Sequence, residues 1–179
     1  QRPFWVAAGV VIFVGLVPLH SLLTALNYPY YLTYFNPLVG GSLTAPKVMI
    51  IGWGEGLDEA AAWLNQQPDA EKLKIVSWYF DGPTSYFTKA EPTGLNYESS
   101  LAWLDNDFVV TYINQFQREI PSPQAIQWYL NEEPAYKFSF GGLDLVRVYD
   151  MRNKPLPDFL GLNVASAADF GGKIRLVAH

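Results

Sequence analysis

The sequence predicts an α/β fold: one N-terminal transmembrane helix, followed by a small three-layer α/β domain with a mostly parallel sheet and a terminal hairpin. Three observations predict it. From Phe4 to Leu26 about 23 residues pass without a formal charge when His20 is neutral, the length of a membrane-spanning helix. Beyond them, short branched and aromatic runs alternate with amphipathic stretches, the pattern of strands alternating with helices. Finally, Gly141-Gly142 separates AYKFSF from LDLVRVYD, two strand-like runs around a hairpin turn.

The apolar run comes first. At 1.5 Å per residue it reaches about 34 Å, enough to cross a hydrocarbon core with some tilt. Pro18 is tolerable in such a helix, which it can kink. A secretory signal peptide would have a shorter apolar region ending in a small-residue cleavage site; this run is longer and has no Ala-x-Ala exit. Arg2 precedes the run and the next basic residue is Lys47. The positive-inside rule then makes the chain single-pass in the cell membrane, with its N-terminus cytoplasmic and its main domain extracytoplasmic. Tyr28, Tyr30, Tyr31, Tyr34 and Phe35 follow. They read as an aromatic belt at the membrane interface or as a cluster packed on the domain, and the two are compatible. The expected organisation is residues 1–35 for the helix and aromatic exit and 36–46 for a linker marked by Asn36-Pro37 and Gly40-Gly41-Ser42. The domain then takes 47–151, and 152–179 form an extended tail.

Within the domain, KVMIIGW (Lys47 to Trp53) has the texture of a strand buried on both faces. LDEAAAWLNQQ then puts Leu57, Ala60, Ala61 and Leu64 on one helical face, with Asp58 and Glu59 in the first turn, where the helix dipole favours acids. Lys72 to Phe80 reads as a second strand. Asp81 to Ser100 is rich in turn residues, with a short helical candidate at Ser85 to Ala90. Asp107 to Ile113 is a third strand, and Pro121-Ser122-Pro123 opens a helix through Leu130 with proline in the first turn. The hairpin follows, and GGKIRLVAH at the end of the tail has the look of a strand beginning.

Composition limits the chemistry. Lys and Arg number 12 against 17 Asp and Glu, a net charge of −5. Nucleic acid requires a basic footprint, so it is excluded as a partner; there is also no polybasic patch for anionic lipid. With no cysteine, disulfides, thiolate metal sites and cysteine nucleophiles are excluded. His20 lies in the apolar run and His179 is the last residue, so neither can complete a Ser/His/Asp triad in the domain. Asp105-Asn106-Asp107 resembles a D-x-D diphosphate motif but offers too few oxygens for a hard cation. Glu132-Glu133 reads as solvated charge at a helix end. Trp53, Trp63, Trp78, Trp103 and Trp128 have the ring faces to stack on sugars, yet they sit in apolar runs that favour core packing. No catalytic residue, metal ligand or cofactor is assigned.

Gly52-Trp53-Gly54-Glu55-Gly56 is the remaining candidate. It lies between a strand-like run and a helix, where a dinucleotide fingerprint belongs, but one residue rather than two precedes its third glycine. Glu55 would bring negative charge beside a pyrophosphate. Asp81, the candidate ribose acid, is followed by Gly82-Pro83 and reads as a turn aspartate. The glycines therefore read first as packing residues of a tight turn. Gly52, Gly54, Glu55 and Gly56 stand as weak ligand-binding candidates, with a sugar or regulatory ligand also open at this crevice.

NYPYYLTYFNPLVGG, GWGEGLDEAAAWLN, VVTYINQFQREIPSP and ADFGGKIRLVAH, in that order, together resemble the C-terminal region of bacterial glycosyltransferase family 39 proteins, relatives of protein mannosyltransferases and aminoarabinose transferases. The resemblance spans nearly the whole chain. It implies that residues 1–35 are the last membrane helix of a multi-span enzyme that takes sugars from polyprenyl-phosphate donors, and that the rest is an extracytoplasmic domain. The family's catalytic acids lie in an early extracytoplasmic loop, so no position here inherits a catalytic role. FGGKIRL resembles the entrance to a further β-rich domain. Three expectations follow. The chain is part of a larger transferase with a structural or interaction role; or an accessory single-span subunit of a respiratory or photosynthetic membrane complex; or a nucleotide-binding α/β domain. Its expected partners are the lipid bilayer and either other membrane subunits or the remainder of a longer chain.

Overall fold

The computed structural model describes residues 2–94 and 106–154. Helix α1 (Arg2–Ala25) carries Pro18 inside it, and Pro3–Ala25 is long and apolar enough to cross a membrane, with none of its most apolar stretch buried against the rest of the chain. A 3-10 turn, Pro37–Val39, is capped by Asn36, whose side chain accepts from the Leu38 amide. Helix α2 (Gly41–Val48) follows. The expected strand from Lys47 to Trp53 does not form. Val48 still belongs to α2, and the extended residues after it join no ladder. One side chain ties this stretch and the end of α2 to the domain instead: Gln117 accepts from the Ile51 amide (2.9 Å) and donates to the carbonyls of Pro46 (2.7 Å) and Met49 (2.9 Å).

Helix α3 (Leu57–Leu64) buries Leu57, Ala60, Ala61 and Leu64 and has Asp58 and Glu59 in its first turn, as its periodicity predicts. Strand β1 (Ile75–Ser77) is followed by a kinked turn through Asp81 and Gly82. Next come the short helix α4 (Ser85–Phe87) and the two-residue strand β2 (Thr93–Gly94). Strand β3 (Phe108–Tyr112) is buried throughout and runs directly into α5 (Ile113–Arg118). Helix α6 (Pro123–Asn131) starts with proline behind a Ser122 cap that accepts from the Ala125 amide. Strands β4 (Tyr136–Phe140) and β5 (Leu143–Asp150) form the expected hairpin.

The sheet has the order β2-β1-β3-β5-β4. β1 pairs in parallel with β2 and β3, whereas β5 is antiparallel to both β3 and β4. The expectation of a mostly parallel sheet is corrected to a mixed, open one. The strand that would have extended its parallel half is the Lys47–Trp53 run, and the hairpin contributes both antiparallel ladders. Alternation along β3 divides the core. Phe108, Val110 and Tyr112 face α3, while Val109 packs with Ala125 and Tyr129 of α6 on the other side. A small α/β domain behind an apolar helix is thus what the chain forms. The tail beyond Lys154, with GGKIRLVAH, lies outside the described residues, as does Trp103.

Candidate functional site

β1 is flanked by β2 on one side and β3 on the other, so strand order reverses at this point. In open α/β sheets such a reversal opens a crevice beyond the strand C-termini, where ligands bind. The glycine turn crosses that edge. Gly52, Gly54 and Gly56 have φ of 93°, 115° and 83°, in the left-handed region that side chains disfavour. A Cβ on Gly52 would come within 2.6 Å of the Tyr112 ring and 2.8 Å of Ile113, and one on Gly56 within 2.2 Å of the Phe138 ring. Both glycines let backbone lie directly against aromatic rings.

Two of the turn's amides are already engaged. Trp53 N–H donates to Glu55 Oε2 (2.7 Å), Gly54 N–H donates to the Tyr112 hydroxyl oxygen (2.8 Å), and that hydroxyl donates to Glu55 Oε2 (2.7 Å). The Glu55 carboxylate and the Tyr112 hydroxyl thus occupy two donors that a phosphate would use, and the carboxylate adds negative charge, which counts against a nucleotide here. Asn114, buried just after β3, donates through Nδ2 to the Tyr79 hydroxyl (2.7 Å) and to the Gly52 carbonyl (3.3 Å). Tyr79 and Tyr112 meet edge to face with centroids 5.2 Å apart. Glu55 Oε1 and Asn114 Oδ1 are buried and meet no donor among the described residues. Buried acceptors of this kind call for a water or a ligand N–H or O–H, so the crevice suits a donor-bearing neutral group better than an anion.

Tyr112 is the hub. Burial pushes its hydroxyl pKa well above the ordinary tyrosine value, and the hydrogen bond to Glu55 and that carboxylate's charge push it further. A raised folded-state pKa contributes stability that is full below the unfolded value of about 10 and is lost as pH rises above it. Tyr112→Phe is expected to cost about 1–2 kcal/mol at neutral pH, because Gly54 N–H and Glu55 each lose a partner. It should also flatten the alkaline decline in stability. Denaturant midpoints for both proteins at about pH 7 and about pH 11 check this; an alkaline slope unchanged by the substitution would mean that other groups cause the decline.

The other sequence candidates fall elsewhere. Tyr30 donates to both carboxylate oxygens of Asp58 (2.8 and 2.9 Å) and sets its ring edge against Phe138 and Phe140 (centroids 5.5 and 5.2 Å). Burial, then Asp58, raise its pKa. Tyr34 hydrogen-bonds His20 Nδ1 on α1 (2.9 Å). Phe35 packs on the core that α3 covers. Tyr28 and Tyr31 are exposed and meet each other edge to face. The cluster therefore divides, with Tyr30 and Phe35 on the domain, Tyr34 on the helix, and Tyr28 and Tyr31 facing outward.

Asp107 accepts from the Lys74 amide at the start of the β1–β3 ladder (2.8 Å), while Asp105 lies outside the described residues. Glu132 pairs with Lys154, and Glu133 and Asp81 are exposed. Trp63 stacks on Tyr136 and sets its edge against Phe108; Trp128 packs beside Tyr129, whereas Trp53 is exposed. Among the described residues no three His, Asp or Glu gather as a metal site. Sequence reasoning did not single out Tyr79, Tyr112, Asn114 or Gln117. The available signal was the cluster of amides in TYINQFQ, placed directly after a strand, where buried polar side chains must find partners outside the ladder.

What fold and site define is a small α/β domain, tied through tyrosines to an apolar helix, with a polar crevice at the reversal of its strand order. Searches against protein-family models, curated proteins and solved structures find no match to this chain.

Proposed function

We propose that this chain is a membrane-anchored extracytoplasmic domain of the kind found in the C-terminal part of polyprenyl-phosphate-sugar-dependent glycosyltransferases, acting through shape and contact while catalysis resides elsewhere in the parent protein. One observation carries this reading: the joint between α1 and the domain. Tyr34 reaches back to His20 on the helix, and four residues earlier Tyr30 reaches forward to Asp58 and the β4 phenylalanines. A loosely tethered domain would need no such bracket. A bracketed one is held at a set height and orientation over the bilayer, as a domain that shapes access to a membrane-embedded active site requires.

Anchoring is tested on the full chain in a bacterial host. It should stay in the membrane pellet through alkaline carbonate extraction, and protease added outside spheroplasts should digest the domain. Release by carbonate, or protection from external protease, would overturn the anchoring or the orientation. The second reading is an accessory single-span subunit of a larger membrane complex, favoured by the most apolar stretch of α1, none of which is buried against the rest of the chain. Peptide mapping of the protein from its native membrane separates the two. Upstream spans with an acidic loop support the transferase; a mature chain near 179 residues that co-purifies with other membrane polypeptides supports the subunit.

A further inference from the structure

The end of the domain nearest α1 carries an apolar surface that the fold leaves open. After Phe35 the chain crosses this end as the turn Pro37–Val39, helix α2 and the extended run to Ile51. Ala45 and Ile51 enter the core. Leu38, Val39, Leu43, Val48, Met49 and Ile50 do not, and they are 49–81% exposed. Scattered exposed apolar residues are ordinary, but a contiguous set marks an interaction surface. Between Pro3 and Gly54 the only formally charged residue is Lys47, so no carboxylate would have to be desolvated if this surface left water.

The fold places this surface beside the exit of α1. A Cβ on Gly141, in the β4–β5 turn, would lie 3.7 Å from the Asn27 side chain, 3.8 Å from the Thr33 carbonyl and 3.9 Å from the Ser42 hydroxyl. The helix exit, the start of α2 and the hairpin turn therefore share one end of the domain. β5 starts at that turn, and β3 runs towards it, with Phe108 opposite Asp150 and Tyr112 opposite Val146. The C-terminal ends of β1 and β3, and the glycine turn across them, point the same way. Trp53, 76% exposed, stands at their edge.

We propose that the Pro37–Ile50 segment is a collar that inserts into the interfacial layer of the same leaflet that α1 leaves, so that the β1/β3 crevice opens at headgroup level. Three features select lipid as the occupant over a protein. The surface is continuous with the spanning helix, it lacks carboxylates, and it is bordered by outward-facing Tyr28, Tyr31 and Trp53, the residue types that favour the membrane interface. The inference rests on α1 being a span.

The chain has no cysteine, so single nitroxide labels can be placed without background. Leu43→Cys and Met49→Cys report the collar, Val11→Cys the span, and Glu133→Cys the far end of the domain. Each labelled full chain is reconstituted in phosphatidylcholine/phosphatidylglycerol vesicles, and collisions with oxygen, which partitions into lipid, are compared with those of a water-soluble nickel chelate. At positions 43 and 49 oxygen should dominate as at 11, with the ratio reversed at 133. Chelate dominance at 43 and 49 with oxygen dominance at 11 would overturn the collar and leave the span intact. Chelate dominance at 11 as well would overturn the anchoring reading with it. Positions 43 and 49 protected only in native membranes, and open to chelate in vesicles, would assign the surface to a protein partner and overturn lipid insertion. Both collar positions are exposed, and near-UV circular dichroism matching the parent confirms that each labelled protein is folded.

Discussion

Gly56→Ala is expected to destabilise the domain by about 2–5 kcal/mol, the sum of a left-handed backbone penalty and an overpacking penalty. Gly56 sits at φ 83°, where a non-glycine residue costs about 1–2 kcal/mol. Its new Cβ would also stand 2.2 Å from Phe138 Cδ1 and 2.5 Å from Cε1. The Phe138 ring has little room to yield, because it stacks near Phe140 and takes the edge of Tyr30. If it moves, Tyr30 moves with it and the bond to Asp58 loosens, so the damage spreads from the glycine turn to the joint with α1. Gly54→Ala provides the comparison. Its φ of 115° is also strained, yet its Cβ would meet Pro83 at 3.0 Å, so its overpacking share is smaller. Denaturant unfolding in detergent micelles, followed by near-UV circular dichroism, should rank Gly56→Ala as the more damaging. The opposite ranking would mean that the turn is limited by backbone strain alone and that the Phe138 contact is slack.

The same turn shows how much the sequence disclosed. A tight turn into a helix, with glycines for close packing, was legible from GWGEG, because the missing residue in the spacing argues against a dinucleotide loop; the strand expected before it was not there. What the glycines pack against was not legible. Phe138 is remote in sequence, and only the β4–β5 register brings it over the turn. The hairpin, α3, α6, β1 and β3 were legible for local reasons: a Gly-Gly turn, an apolar face at helical spacing, a proline behind a serine cap, and branched runs. Helix α5 was not, since it starts at Ile113 with no turn residue between it and β3; the Gln115 side chain accepts from the Tyr112 amide (3.3 Å) at this junction. The run KVMIIGW misled because an apolar, branched texture is shared by strands buried on both faces and by segments such as this one, where Ile51 enters the core and Val48, Met49 and Ile50 stay outside it. Periodicity cannot separate those cases. The tyrosine cluster was legible as the joint that follows the apolar helix, but its division between domain, helix and outer surface depends on Asp58, Phe138 and His20, which no local pattern links to it.

Gln117→Ala is expected to cost about 2–4 kcal/mol, on the basis of roughly 1 kcal/mol per lost hydrogen bond plus a part of the desolvation penalty for the groups left behind. One amide group makes three bonds to the connector: Oε1 accepts from Ile51, and Nε2 donates to Pro46 and Met49. Elsewhere in the domain a sheet ladder would share such bonds among many residues. Here a side chain from α5 stands in for the ladder, so a single substitution removes three of the segment's bonds at once. Amide hydrogen exchange at Ile51 should accelerate in Gln117→Ala, while amides in the β3–β5 ladder keep their protection up to the lower global stability. Gln117→Glu makes the account sharper. A carboxylate can still accept from Ile51 but cannot donate, and it would face the Pro46 and Met49 carbonyls with like polarity. It is therefore expected to be at least as damaging as alanine despite its matching shape. A well-tolerated Gln117→Glu would show that the two carbonyls find other donors, and that the connector is held by Ala45 and Ile51 in the core instead.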